Sequence, residues 1–170
     1  MRMAIEVNRI AMFRSEKWDR RFLELARLIS TWSKDPSTKI GTVIVGPDNE
    51  IRATGYNGLC RGMIDDLPER NERPIKYKYY EHGERNAIYN AARVGVSLKG
   101  CTAYLLSLSC CDCTRALIQA GITRIVTTPP EYDNPRWGTD LKLSRDMFDE
   151  VGIPINIVDA FPGEAICGKV

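Results

Sequence analysis

The chain has 170 residues, of which 44% are hydrophobic and 27% are charged, and its formal net charge is +2. This length suits one domain with a buried core, and the dispersed charges, without a long run of one sign, do not favour polymeric nucleic acid as a partner. No run of eighteen apolar residues occurs, and charges interrupt the N-terminus before a signal-peptide core can form, so we expect a cytoplasmic protein without a membrane partner.

The first half of the chain predicts one helix and one hairpin. Apolar residues recur at spacings of three and four from Lys17 to Trp32, which indicates an amphipathic helix. Strand-forming residues then flank the turn sequence GPDN at 46–49, which predicts a β-hairpin. Residues 58–80 carry two prolines, many charges and no periodicity, so we expect a long loop or insertion there.

The second half alternates helices with strands. Helices are predicted from about His82 to Arg93, from Asp112 to Ala120 and over LKLSRDMFDEVG, and strands over CTAYLLSLS, RIVTT and IPINIVDA. This order predicts a three-layer α/β/α fold, in which a mixed central sheet of about five strands carries helices on both faces. We expect a single domain over residues 1–170 with its core at about 17–160.

Six cysteines stand in a chain that shows no secretion signal, which argues against a disulfide framework. They are Cys60, Cys101, Cys110, Cys111, Cys113 and Cys167. Three of them crowd into the segment SCCDC, and such a cluster in a reducing compartment indicates metal ligation or redox chemistry. The isolated Cys60 and Cys167 are expected to be small apolar fillers.

The lone histidine of the chain, His82, lies at one predicted helix start, and Cys110 and Cys113 lie at the next. Two helix N-termini can face one point, where an imidazole and two thiolates supply three ligands for zinc. A catalytic zinc site leaves its fourth position to water, whereas a structural site closes it with a protein group, for which Cys111 or Cys101 would be available.

Glu84, two residues after the histidine, favours the catalytic alternative. A carboxylate beside zinc-bound water can act as a general acid and base. A structural zinc module would leave this carboxylate without a role, and a redox pair of cysteines would leave the histidine unexplained.

His82-Gly83-Glu84 followed by Cys110-Cys111-Asp112-Cys113 resembles the H-x-E and P-C-x-x-C signature of the zinc-dependent nucleoside and nucleotide deaminases. The segments STKIGTVIV, ATGYNG, NAIYNAARVGVSLKG and IQAGITRIV resemble the deoxycytidylate (dCMP) deaminase branch over most of residues 17–160. The resemblance implies one zinc ion per subunit on His82, Cys110 and Cys113, and Glu84 as the catalytic residue. It also implies hydrolysis of dCMP to dUMP and ammonia, which supplies dUMP for dTTP synthesis.

The resemblance implies substrate contacts as well. Asn57 is expected at a sugar hydroxyl, Lys39 and, with less support, Ser33 or Lys34 at the 5′-phosphate, and Tyr132 over the base or the phosphate.

Regulated members of this branch are hexamers that dCTP activates and dTTP inhibits, with the nucleotide and Mg²⁺ near the GYNG loop at a subunit interface. Tyr56, Gly58, Arg61 and Arg93 are the residues expected there. Relatives with a second zinc use further histidines, so we expect a single zinc here.

Three positions depart from the family pattern. Gly83 replaces the usual alanine of H-A-E, Ser109 replaces the proline before the first cysteine, and Cys60 stands where proline is common. Other readings stay open at this point: the same chemistry on dCTP, on a 5-substituted dCMP or on a free nucleoside, and a structural zinc module used for interaction. A nucleic-acid base editor is disfavoured by the dispersed charge.

Overall fold

The computed structural model describes residues 16–65 and 67–164. Its central sheet has five strands, in the order β2-β1-β5-β6-β7. These strands are β1 (Gly41–Val45), β2 (Ile51–Tyr56), β5 (Thr102–Leu105), β6 (Arg124–Thr127) and β7 (Ile155–Ile157). Strand β1 runs antiparallel to β2 and β5, whereas β5, β6 and β7 are parallel, so the sheet is mixed as predicted.

Five helices lie in the described part of the chain. They are α1 (Glu16–Ser30), α2 (Lys76–Tyr79), α3 (Gly83–Val94), α4 (Cys111–Gln119) and α5 (Gly138–Glu150). The predicted long helices are confirmed, and Gly95 and Gly152 follow two of them with φ of 74° and 72°, a conformation that glycine adopts without strain.

Helices cover both faces of the sheet, because alternate residues along each buried strand point to opposite sides. Val43 and Val45 of β1 pack with α1 residues such as Leu23 on one face. Ile44, on the other face, joins the core formed with α3, α4 and α5. The predicted three-layer α/β/α fold is therefore confirmed.

The helix that carries the lone histidine lies directly on strand β2. A Cβ atom added at Gly55 would stand 2.2 Å from the carbonyl oxygen of Gly83 and 2.3 Å from the amide nitrogen of Ala87. Only a glycine permits this approach, because any side chain would displace backbone rather than a flexible group. The contact fixes the start of α3 against the sheet.

The segment expected to be a long loop, 58–80, contains short elements that have too few residues to show periodicity. Strand β3 (Gly58–Leu59) pairs with β4 (Tyr80–Glu81), and between them lie a 3₁₀ helix (Pro68–Asn71) and α2. Two-residue strands and four-residue helices leave no pattern that a sequence window can detect.

In the described ranges, no helix combines the length and the apolar character needed to cross a bilayer. The predicted domain bounds of 1–170 extend past these ranges, and Cys167 lies outside them.

Candidate metal and catalytic site

The three predicted metal ligands come together at two helix starts. His82 is the N-cap residue of α3 and Cys110 is the N-cap residue of α4, both with extended backbone, and Cys113 lies in the first turn of α4. The Nδ1 atom of His82 lies 3.3 Å from Sγ of Cys110 and 3.5 Å from Sγ of Cys113. Within residues 16–65 and 67–164, these three are the one group of metal-ligating side chains close enough to share an ion.

The spacing of these donor atoms fits zinc. Tetrahedral zinc binds nitrogen and sulfur at about 2.0–2.3 Å, which separates an imidazole nitrogen from a sulfur by about 3.5 Å. The two observed N–S distances agree with that value. One imidazole and two thiolates also match the ligand types that zinc prefers and leave a fourth position for water.

The electrostatics of the cysteines favour a thiolate at this point. A hydrogen bond from Cys113, together with one from His82, lowers the pKa of Cys110 to about 4. The hydrogen bond with Cys110 raises the pKa of Cys113, and the hydrogen bond between His82 and Cys110 raises the pKa of His82. The Cys110 thiol therefore ionises readily, as metal binding to thiolates requires.

Glu84 lies beside the ligands with its carboxyl group removed from water. Only 5% of the residue is exposed, and burial raises the pKa of its carboxyl group. Opposing contributions come from the charge of His82 and from a hydrogen bond with Cys113, so the carboxyl group lies close to both ligands. A buried carboxyl group with a raised pKa can both accept and return a proton near neutral pH.

The cysteines considered as a fourth ligand have other environments. The backbone N–H of Cys111 donates to Oδ2 of Asp140 at 2.8 Å, and its thiol donates to the Asp140 carbonyl oxygen at 3.5 Å. Burial and this contact raise the pKa of Cys111 to about 11, so its thiol stays protonated. Cys101 is buried in the core behind α3 and α4. Neither belongs to the metal-binding group in the described residues, which favours the catalytic type of zinc site.

Ser109, which replaces the family's proline, is held by a buried chain of hydroxyl groups. Its Oγ lies 2.8 Å from Oγ1 of Thr114 on α4, and that atom lies 2.6 Å from Oγ of Ser144 on α5. These bonds fix the entry to α4 from two sides. They supply the rigidity at Cys110 that the missing proline would otherwise give.

Gly83, which replaces the family's alanine, is in a tight environment. A Cβ atom here would lie 3.3 Å from both the Ile40 carbonyl oxygen and Oγ1 of Thr42. The Thr42 hydroxyl is buried and has no hydrogen-bond partner in the described residues. Glycine at position 83 thus accommodates the hydroxyl of Thr42. Nothing in the structure explains Cys60, which is exposed.

Asn57, predicted at the substrate sugar, is 7% exposed and organises the loop before β1. Its Oδ1 accepts from the Ile40 N–H at 2.7 Å, and its Nδ2 donates to Oδ2 of Asp35 at 3.0 Å and to the Thr38 carbonyl oxygen at 2.8 Å. Ser33, predicted at the phosphate, is buried, and its hydroxyl donates to the Asn57 carbonyl oxygen at 2.7 Å. Substrate contact by either residue stays a prediction.

The other residues predicted to contact the substrate are more exposed to solvent. Lys39 is exposed. Lys34 forms an ion pair with Asp65 at 2.5 Å. Tyr132 is half-buried, and its Oη accepts a long hydrogen bond of 3.5 Å from Arg145. Their roles at the substrate remain predictions.

The residues expected at the effector interface flank β2 and α3. Tyr56 is 39% exposed, and its ring meets that of Trp32 edge-on. Gly58 begins β3. The Arg61 guanidinium donates a hydrogen bond to Oδ1 of Asn90. Arg93 is exposed in the last turn of α3. The loop at 56–61 is therefore linked to α3, and an effector role for these four residues stays a prediction.

Sequence reasoning missed several residues near the site. Lys76 is buried, and its Nζ donates to Oδ1 of Asp35 at 2.6 Å and to Oγ of Ser37 at 2.5 Å. The ring of Trp137 meets the His82 imidazole edge-on, with centroids 6.3 Å apart. The buried lysine has no local signal, because its partner is 41 positions away. Trp137 lies four positions before the helix predicted over LKLSRDMFDEVG, whereas the observed helix begins earlier, at Gly138.

The chain is similar to known proteins over most of its length. The model of the cytidine and deoxycytidylate deaminase zinc-binding region matches residues 16–128. An uncharacterized deaminase encoded in the luxG 3′ region of Aliivibrio fischeri is 38% identical over 140 residues, which are 82% of this chain and 92% of that protein. The deoxycytidylate deaminase of Homo sapiens is 34% identical over 142 residues, which are 81% of this chain and 77% of that protein.

Solved structures share the fold. The dCMP deaminase of cyanophage S-TIM5, in complex with dCMP and dUMP, superposes with a TM-score of 0.67 at 22% identity and covers 81% of this chain and 94% of that one. The residues matched by the family model include His82, Glu84, Cys110 and Cys113. The chain is a member of the cytidine and deoxycytidylate deaminase family of zinc-binding hydrolytic deaminases.

Proposed function

We propose that this enzyme hydrolyses dCMP to dUMP and ammonia. The observation that carries the proposal is the buried Glu84 carboxyl group beside the group of His82, Cys110 and Cys113. Named deoxycytidylate deaminases at about 35% identity, and a related fold that holds dCMP and dUMP, support the choice of substrate.

The chemistry divides between the metal and Glu84. His82, Cys110 and Cys113 would hold a zinc ion, whose Lewis acidity would lower the pKa of a water molecule and make it nucleophilic near neutral pH. Glu84 accepts a proton as the water oxygen bonds to C4 of cytosine, and donates it to the ring nitrogen beside C4. Glu84 then carries a second proton from the new C4 hydroxyl group to the amino group, the C4–N bond breaks, and ammonia leaves.

The charged groups near the metal ligands suit these proton transfers by Glu84. Arg85 has a raised pKa, because its hydrogen bond to Glu81 and the nearby cysteines outweigh its burial, and it stays cationic. This guanidinium helps to balance the two thiolates from outside the site. Two thiolates would cancel the charge of a zinc ion and leave it a moderate Lewis acid, so the reaction depends on a carboxyl group that changes protonation state readily.

The resemblance to the dCMP deaminase branch is the basis for what we propose about metabolic role, regulation and assembly. The product dUMP would supply dTTP synthesis, and dCTP and dTTP, with Mg²⁺, would act as activator and inhibitor at an interface that includes Tyr56, Gly58, Arg61 and Arg93. Exposed apolar side chains such as Trp32 at 55% and Val94 at 72% are consistent with a homo-oligomer, which we propose is a hexamer. The reduced thiols that zinc ligation needs favour the cytoplasm.

The test of substrate class is a panel of dCMP, dCTP, 5-methyl-dCMP and deoxycytidine, each followed by loss of cytosine absorbance with zinc-loaded protein. The proposal predicts the highest kcat/KM on dCMP. Faster turnover of dCTP or deoxycytidine would indicate that this compound is the substrate of the same reaction.

The proposed regulation and assembly have separate tests. Added dCTP should raise the rate at low dCMP concentration. Light scattering should return a mass near six subunits, and a monomer would refute the hexamer.

A further inference from the structure

Two arginines from separate segments contact residues that lie next to the predicted metal site. Arg73 lies just before α2, and its Nη2 donates to Oγ of Ser37 at 3.3 Å. Arg136 lies just before α5, and its Cζ stands 4.8 Å from the ring centroids of both Tyr77 and Trp137. The insertion and the loop before α5 therefore approach each other through these cations.

The stacking holds the Arg136 guanidinium but leaves its donors unused. Cation–π contact engages the flat face of the group, whereas its five N–H bonds point outward in the plane. In the described part of the chain, neither Arg73 nor Arg136 forms an ion pair with a carboxylate. Asp35, whose charge acts on Arg136, already accepts hydrogen bonds from Lys76 and from the backbone of Ser37 and Thr38.

The two arginines are also close enough to repel. Burial, and next the charge of Arg73, lower the pKa of Arg136 below its usual value. The nearby Asp35 carboxylate already accepts from Lys76 and from the backbone of Ser37 and Thr38, so it does not pair with either arginine, and like charges held together by the fold favour binding of an anion. A planar guanidinium with free in-plane donors suits a phosphate group in particular.

This cationic pair lies at the edge of the catalytic group. Trp137, on which Arg136 stacks, meets the His82 imidazole with centroids 6.3 Å apart. Ser37, which Arg73 contacts, belongs to the loop that Asn57 anchors through Ile40 and Thr38. A ligand with its base at the zinc ligands and its sugar near Asn57 would direct its far end toward this pair.

We propose that Arg73 and Arg136 form the anion subsite that binds the 5′-phosphate of the substrate, an inference that rests on the proposed deamination of a nucleotide. The sequence suggested Lys39 first for this role and, with less support, Ser33 or Lys34; Lys39 is exposed. The Ser33 hydroxyl is buried against Asn57, and Lys34 pairs with Asp65, so both are engaged elsewhere.

The test uses the zinc-loaded protein and measures the dissociation constants of dUMP and deoxyuridine by calorimetry, which needs no turnover. Arg73→Gln and Arg136→Gln should each weaken dUMP binding about 10- to 100-fold, the range of a lost charge-assisted hydrogen bond, and leave deoxyuridine binding unchanged. Steady-state kinetics should show the same split, with KM raised for dCMP and unchanged for deoxycytidine.

Arg21→Gln is the matched control, because Arg21 is also exposed and stacks on a ring, Trp18, with 4.9 Å from Cζ to the centroid. This variant should bind dUMP like wild type. Arg136→Lys should recover part of the affinity, since it keeps the charge.

Equal dUMP affinity in all three glutamine variants would overturn the subsite. Equal losses for dUMP and deoxyuridine would overturn it too, since Arg136 would then only support Tyr77 and Trp137. If wild type binds dUMP and the arginine variants lose it, but no cytosine compound is turned over, the subsite stands and the proposed function fails.

Discussion

At the scale of single residues, three neighbouring cysteines have three different environments. Cys110 has a lowered pKa, whereas the hydrogen bond to Cys110 raises the pKa of Cys113, which lies in the first turn of α4. Cys111, between them in sequence, faces Asp140 instead. Cys110 and Cys113 are three positions apart, close to one helical turn, which brings them to one side and places Cys111 on another.

This difference predicts opposite results for two serine substitutions. Cys113→Ser removes a thiolate ligand, so the zinc content of the purified protein should fall well below one ion per chain, and deamination should be lost. Cys111→Ser should keep one zinc and most of the activity, because its thiol is not a ligand. Metal analysis by mass spectrometry gives both values; zinc lost from Cys111→Ser would indicate a four-ligand structural site.

At the scale of elements, a buried ion pair joins α2 to the loop before β1. The side chains of Lys76 and Asp35 are only 6% and 4% exposed, and their charged atoms are 2.6 Å apart. Burial would raise the pKa of Asp35, but the bonds from Lys76, Ser37 and Thr38 outweigh it and hold the pKa below 3.8. The pair connects the insertion to the carboxylate that orients Asn57.

Lys76→Met should therefore lower the free energy of unfolding by about 3–5 kcal/mol near neutral pH, because it leaves the Asp35 charge buried and unpaired. Lys78→Met, on the exposed side of the same helix, is the control and should change stability little. Urea unfolding gives both values. A loss for Lys76→Met no larger than for Lys78→Met would contradict the role given to the ion pair.

The pH dependence of this difference has a definite sign. The folded pKa of Asp35 is lowered, so its stabilising contribution is present above the unfolded pKa of about 3.9 and is lost as the pH falls through the folded value. The stability gap between wild type and Lys76→Met should thus shrink below about pH 4. A gap that is constant between pH 7 and pH 3 would contradict the buried ion pair.

At the scale of the whole molecule, zinc would link two helices whose ligands are far apart in sequence. His82 and Cys110 are 28 positions apart, and their helices pack on the same face of the sheet. An ion that binds only the folded arrangement stabilises it in proportion to the logarithm of its free concentration over its dissociation constant, by about 4 kcal/mol at a thousandfold excess. Removal of zinc should therefore lower the melting temperature.

Calorimetry before and after treatment with a chelator tests this expectation, with excess zinc added back as the control. The melting temperature should fall on chelation and return with zinc. Cys113→Ser should melt at the lower temperature under both conditions, and an unchanged melting temperature in chelated wild type would contradict the linkage.

Much of the fold followed from local patterns. The period of α1, the turn at 46–49 and the glycines at 95 and 152 predicted elements that the structure confirms, because each depends on residues near in sequence. The zinc ligands followed from residue type and spacing. The contacts of Lys76 and Arg73 in segment 58–80, and of Arg136 before α5, did not, because they depend on partners that only the folded chain brings close.

The most direct test of the central claim is hydrolysis of dCMP by wild type and by Glu84→Gln at equal zinc content. The account predicts one ammonia for each dUMP formed by wild type, and a loss in kcat of at least about 10²–10⁴-fold in the variant with its zinc retained. A variant that keeps the wild-type rate, or a zinc-loaded wild type that leaves dCMP intact, would contradict it.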